Sequence, residues 1–175
     1  GANLITVPSQ LPMQRAKLKV YPVTVVNLLG KYGDFETDSN SDGLADGWAK
    51  GYADTNVELS TDKVVTGSKS QHMWINTDAS SLYTELSIYA GIQNNVTYFA
   101  SLWAYLTRTP DYARFMLAGS PHMWVYMSGG MVLNRFNKHF ASFAPTTADG
   151  NFHFFYRPPD SNERFDVWVD GLMLV

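Results

Sequence analysis

The chain contains no cysteine. That excludes disulfide staples, thiolate zinc sites and cysteine nucleophiles together. Charge is sparse as well: Asp, Glu, Lys and Arg make up 17% of the residues, with a formal net charge of -3. So mild an acidity argues against a nucleic-acid partner, whose phosphates ask for a basic face. No apolar run reaches the roughly 18 residues of a membrane-spanning helix. A long helical pattern and an internal repeat of fixed period are also missing. The first residues lack the basic-then-apolar pattern of a secretory signal, and localisation stays open on that ground.

Catalytic constellations are absent too. His72, His122, His139 and His153 show neither H-x-x-x-H nor H-x-H spacing for zinc. There is no G-x-S-x-G elbow, phosphate loop or dinucleotide fingerprint. A pair of carboxylates brought together by folding would still allow a small glycan-active enzyme. The pattern itself reads as non-catalytic.

What the chain has in excess is rings: five Trp, ten Tyr and ten Phe, 14% of its 175 residues. Short alternating or apolar runs fall at residues 56–59, 72–75, 81–89, 96–106, 113–118, 123–127, 135–143, 151–157 and 165–175. Turn clusters such as Gln93-Asn94-Asn95, Ser128-Gly129-Gly130 and Ala148-Asp149-Gly150 separate them. Nine strands at such spacing predict an all-β domain, a β-sandwich or jelly roll of two antiparallel sheets. Residues 27–175 form that domain. Residues 1–26 are polar and proline-punctuated, then alternate through Lys17, Leu18, Lys19 and Val20 up to Pro22. They read as an extended arm or as a linker.

The loop D-S-N-S-D-G-L-A-D places Asp38, Asn40, Asp42 and Asp46 at positions 1, 3, 5 and 9 of a calcium-loop pattern. Gly43 falls where the turn is sharpest, and Leu44 offers its carbonyl at position 7. Position 12 is Ala49, where an EF-hand has a bidentate Glu. A metal-free loop rich in Asx turns is the other reading of the same residues.

Three segments together resemble the family 4/9-type carbohydrate-binding modules: N-L-L-G-K-Y-G-D-F-E with D-G-L-A-D-G-W (residues 27–48), V-V-T-G-S-K-S-Q-H-M (64–73) and F-D-V-W-V-D-G-L-M-L (165–174). The resemblance implies a structural calcium joining the start and end of the domain. Asp34, Glu36 and Asp170 would supply carboxylates and Lys69 a backbone carbonyl. Where other members have a further acidic ligand, this chain has Gly67. The resemblance also implies polysaccharide or cell-surface glycan binding on an aromatic-lined concave sheet face, in an extracellular or virion-associated setting.

Alternation nominates the rings of that face. In 98–107, Phe99, Ser101, Trp103, Tyr105 and Thr107 oppose Tyr98, Ala100, Leu102, Ala104 and Leu106. The second set suits a packed interior. His122, Trp124, Tyr126 and Ser128 share one side of the next candidate, and His153, Phe155 and Arg157 one side of another. Trp103, Tyr105, Trp124, Tyr126 and Arg157 are the expected ligand-binding residues, while Trp48 and Trp168 are assigned to packing. The alternative is a structural or host-recognition module of a phage tail, virion or surface protein. There the N-terminal arm would mediate assembly, as a homo-oligomer or with domains of a parent protein.

Overall fold

A computed structural model describes residues 25–77, 79–117, 123–160 and 162–175. The expected arm falls almost wholly outside the described residues, as does His122. Among the described residues one 3-10 turn, Gly30–Asp34, precedes ten strands. These are β1 (Ala49–Lys50), β2 (Asn56–Ser60), β3 (Ser70–Ile75), β4 (Thr84–Tyr89) and β5 (Tyr98–Leu106), then β6 (Tyr112–Leu117), β7 (Met123–Tyr126), β8 (Phe136–Phe143), β9 (Asn151–Arg157) and β10 (Phe165–Leu174). They form two five-stranded antiparallel sheets, sheet I in the order β1-β4-β9-β6-β7 and sheet II in the order β2-β3-β10-β5-β8. The molecule is an all-β sandwich of the jelly-roll kind. Nine strands match the alternating runs. The tenth, β1, is two residues long, too short to carry a readable period.

The pleat sorts each strand into a dry and an outer side. In β5, Ala100, Leu102, Ala104 and Leu106 are completely buried, whereas Phe99 on the opposite side is 37% exposed. In β9 the dry residues are Phe152, Phe154 and Tyr156, which meet Phe115, Leu86 and Phe143 between the sheets. A stack of Phe35, Trp48 and Phe154 fills the end near the 3-10 turn, with Phe35 and Trp48 centroids 5.3 Å apart. Phe35 reaches it from a left-handed backbone (φ 55), a conformation that costs a bulky residue about 1–2 kcal/mol. Burying the ring completely offsets that strain.

Two ties close the sandwich. Asn27 donates from Nδ2 to the Leu172 carbonyl at 2.9 Å and accepts the Leu174 amide at 3.0 Å, fastening the entering chain to β10. On the far side Ser128, just past β7, bridges to Phe140 of β8 through bonds of 2.7 and 2.9 Å. The edge strand of sheet I is thereby joined to the edge strand of sheet II.

Candidate functional site

The outer side of sheet I carries a cluster of accessible rings. Register sets the rows. Glu85 of β4, Phe155 of β9, Arg114 of β6 and Tyr126 of β7 lie in one row across four strands. The next row runs Ser87, His153, Met116 and Trp124. Arg157 and Tyr112 pair on the other flank. Phe155 is fully buried although it faces outward, because Tyr83, Tyr112 and Trp124 stand edge-on around it at 6.0, 5.9 and 5.1 Å. It forms the floor. Trp124 (44% exposed) and Tyr126 (62% exposed) form the open end. Tyr52, in the β1–β2 connection, stacks on Tyr83 at 4.9 Å and extends the run to the opposite margin.

Polar groups are threaded through these rings. The Tyr112 hydroxyl donates to that of Tyr83 at 2.8 Å. Burial first, then the bond to Tyr83, pushes the Tyr112 phenol above its ordinary pKa. Burial and the Glu85 carboxylate do the same for Tyr52. Both phenols therefore stay protonated at neutral pH. His153 Nδ1 pairs with Glu85 at 2.8 Å, and its Nε2 is shut away from solvent without a partner. Gly51 makes room for that pair: a Cβ there would lie 2.4 Å from Glu85 Cδ. Arg157 sits 3.5 Å from Asp111 and spreads over Tyr83 and Tyr112.

The five ring and cation positions expected to form one platform are divided between two faces. Trp124, Tyr126 and Arg157 lie on sheet I. Trp103 and Tyr105 belong to β5 and face outward from sheet II. Alternation fixes the side of a strand but not the sheet that the strand joins, and this split is the correction. On sheet II Tyr105 is half-buried between Phe136 and Trp168, 5.7 and 5.6 Å away, with the Lys63 ammonium 5.1 Å above it. Trp168 packs as expected, but on the outer side of its sheet. It stacks on His72 with centroids 4.0 Å apart, and His72 is held by Glu58 and Asp166 at 2.8 Å each. Trp48 is in the core. Sequence reasoning did not single out Tyr52, Tyr83, Glu85, Tyr112 or Arg114. Alternation in 83–89 and 112–117 carried the side they face, and only strand order brings them beside Trp124.

The carboxylates expected to hold calcium are engaged elsewhere. Asp170 is fully buried and accepts the Val65 and Thr66 amides at 2.6 and 2.8 Å, the Thr66 hydroxyl at 2.9 Å and the Gly171 amide at 2.6 Å. Glu36 accepts the Ser68 hydroxyl and amide at 2.7 and 2.8 Å and the Lys69 amide at 3.2 Å. The Ser68 hydroxyl above all, then these amides against the cost of burial, holds its carboxyl below the usual range. Asp34 is exposed at the end of the 3-10 turn. In this arrangement the oxygens of Asp170 and Glu36 that were expected to ligate calcium accept amide and hydroxyl hydrogens instead.

The Asp38–Asp46 loop behaves alike. Asp38 accepts the amides of Asp42 and Gly43, Asp42 that of Leu44, and Asp46 the amide and hydroxyl of Ser39. Asn40 donates to Asp42, and Leu44 is buried. Among the described residues no group of three or more His, Asp or Glu is arranged to hold a metal ion.

No protein-family model matches the chain, and no curated protein matches it. Solved structures do. A xylan-binding domain of carbohydrate-binding module family 22 matches with a TM-score of 0.58 over 82% of this chain and 91% of that one, at 11% identity. A family 4 carbohydrate-binding module matches at 0.54 over 77% of this chain and 97% of that one, at 16% identity. The family 22 and catalytic modules of Clostridium thermocellum xylanase 10B, complexed with xylohexaose, match at 0.56 over 74% of this chain, at 18% identity. This chain spans 26% of that one. At such identities the likeness establishes the fold.

Proposed function

We propose that this domain is a non-catalytic carbohydrate-binding module that holds a polysaccharide across the outer side of sheet I. The observation that carries the reading is the continuous run Tyr52, Tyr83, Tyr112, Tyr126 and Trp124 over the buried floor of Phe155. Flat apolar rings with hydrogen-bonding groups at their margins suit the apolar faces and peripheral hydroxyls of pyranoses. The one buried carboxylate among the described residues of this face, Glu85, is bound to His153, and Asp111 stands at the rim on Arg157. That arrangement favours binding over hydrolysis, which asks for two carboxylates flanking a bond.

The similar structures include xylan-binding domains, which makes xylan the first glycan to try, and one of them joins its module to a catalytic module. By analogy this domain would serve as the targeting module of a larger protein. The assembly alternative involves residues 1–26, which lie almost entirely outside the described residues.

Affinity electrophoresis of the full chain in gels containing xylan, glucomannan, β-glucan or an acidic polysaccharide tests the proposal. Trp124→Ala and Tyr126→Ala are expected to remove retardation with little change in thermal stability. Trp103→Ala, on the other sheet, is expected to leave retardation in place. Loss through Trp103→Ala alone, or no retardation in any gel, would overturn it.

A further inference from the structure

On the outer side of sheet I, Arg114 is set apart from the other charged groups. Glu85 is bound to His153 at 2.8 Å and Arg157 has Asp111 at 3.5 Å, whereas Arg114 has no carboxylate partner among the described residues. Its guanidinium carbon lies 4.1 Å from the ring centre of Tyr112 and 4.2 Å from that of Tyr126, with Trp124 at 5.9 Å. Such a clamp stabilises the cation and fixes its plane. Of five N–H donors, one is given to the Tyr126 hydroxyl, and the Nε donor is shut off from water with no partner. The fold thus holds a planar cation in the middle of an aromatic run, with one N–H donor given to a partner among the described residues and its terminal nitrogens carrying the remaining capacity.

We infer that Arg114 is an anion subsite, and that the ligand of this face is a uronate-bearing polysaccharide. The inference rests on the glycan-binding reading above and adds a chemical class to it. A carboxylate matches a guanidinium fork in shape and charge, which a neutral hydroxyl does not. In a uronic acid the carboxylate projects from the ring margin. A pyranose lying on Tyr126 and Trp124 therefore carries that group toward Arg114. Ring stacking supplies the contact area and the fork supplies selection for charge.

The test compares each uronate polysaccharide with its own carboxyl-reduced form, in which the acid has become a primary alcohol and the backbone is unchanged. Glucuronoxylan, polygalacturonate and alginate serve as probes, with dextran sulfate as a generic polyanion. Calorimetry on the full chain is expected to show at least one native uronate polymer binding about tenfold or more tighter than its reduced form. That preference should weaken as salt rises.

Arg114→Gln should collapse the native-to-reduced ratio to about one, and Arg114→Lys, which keeps the charge but loses the fork, should leave a smaller ratio than the wild type. Should the Gln variant fail to fold, the Lys variant carries the test. Equal affinity for native and reduced forms throughout, or an unchanged ratio in the folded variants, overturns the inference while glycan binding stands. Dextran sulfate bound as tightly as the best uronate also overturns it, as general attraction of polyanions. Absence of binding to every glycan, neutral ones included, sinks both readings together.

Discussion

His139 of sheet II and Tyr156 of sheet I meet across the dry interior, with 3.1 Å between the imidazole Nδ1 and the phenol oxygen. The other ring nitrogen lies 3.0 Å from the Gly130 carbonyl and must donate to it, so Nδ1 is the acceptor of the Tyr156 hydroxyl. Both groups are completely buried. Burial holds the His139 pKa below its ordinary 6.5, against the pull of the Gly130 carbonyl, and pushes Tyr156 well above 10.0. Neutral histidine and neutral phenol are the pair that this core accepts.

Folding stability should consequently fall as pH drops below about 6.5, where the unfolded imidazole gains a proton that the folded one resists. The contribution is fully present above that value. Urea titrations from pH 7.5 to 5 measure it, and His139→Gln should flatten the slope in that window. Tyr156→Phe, which leaves Nδ1 without its donor, should cost about 1–3 kcal/mol.

Asp170→Ala should cost about 3 kcal/mol or more, because three amides and a hydroxyl lose their acceptor in a buried corner. Since those donors already saturate the carboxylate, neither chelator nor added calcium should move the melting temperature. A rise of several degrees with millimolar calcium would mean that the amides give way to the ion.

Gly67 and Gly91 make a matched pair, with φ of +67° and +66°. At Gly91 a Cβ meets nothing within 4 Å, whereas at Gly67 it would stand 1.9 Å from Glu36 Oε1. Gly91→Ala should therefore report the backbone cost alone, about 1 kcal/mol. Gly67→Ala should cost clearly more, and the excess should vanish in a Glu36→Ala background. Thermal melts of the three variants and the double variant decide it.

Trp168→Ala should destabilise the fold by about 3–5 kcal/mol, since its ring lies between His72 and the Lys63 ammonium, 4.1 Å above it. Glycan retention should persist wherever the variant remains folded. Abolished binding in a folded protein would move the ligand to sheet II.

The fold was legible because each strand states its own period. Leu102 and Ala104 inside against Trp103 and Tyr105 outside needed only the pleat. The site was less legible, since it depends on which strands become neighbours. Trp103 and Trp124 look equivalent in sequence, yet β5 pairs with β10 and β7 with β6. Long-range pairing also turned Asp170 toward the amides of residues 65 and 66, a contact across 105 positions that no local motif encodes. Arg114 was passed over because a lone arginine amid tyrosines signals nothing until the rings prove to be its walls.

The Ser128–Phe140 bridge has a mechanical side. Trp124 and Tyr126 stand on an edge strand of four residues, the sort of element that peels first when pulled. Two backbone bonds just beyond Tyr126 run instead to the opposite layer. Were a polymer held on those rings as proposed, tension in flow would load both sheets at once, at the place where a sandwich is ordinarily weakest.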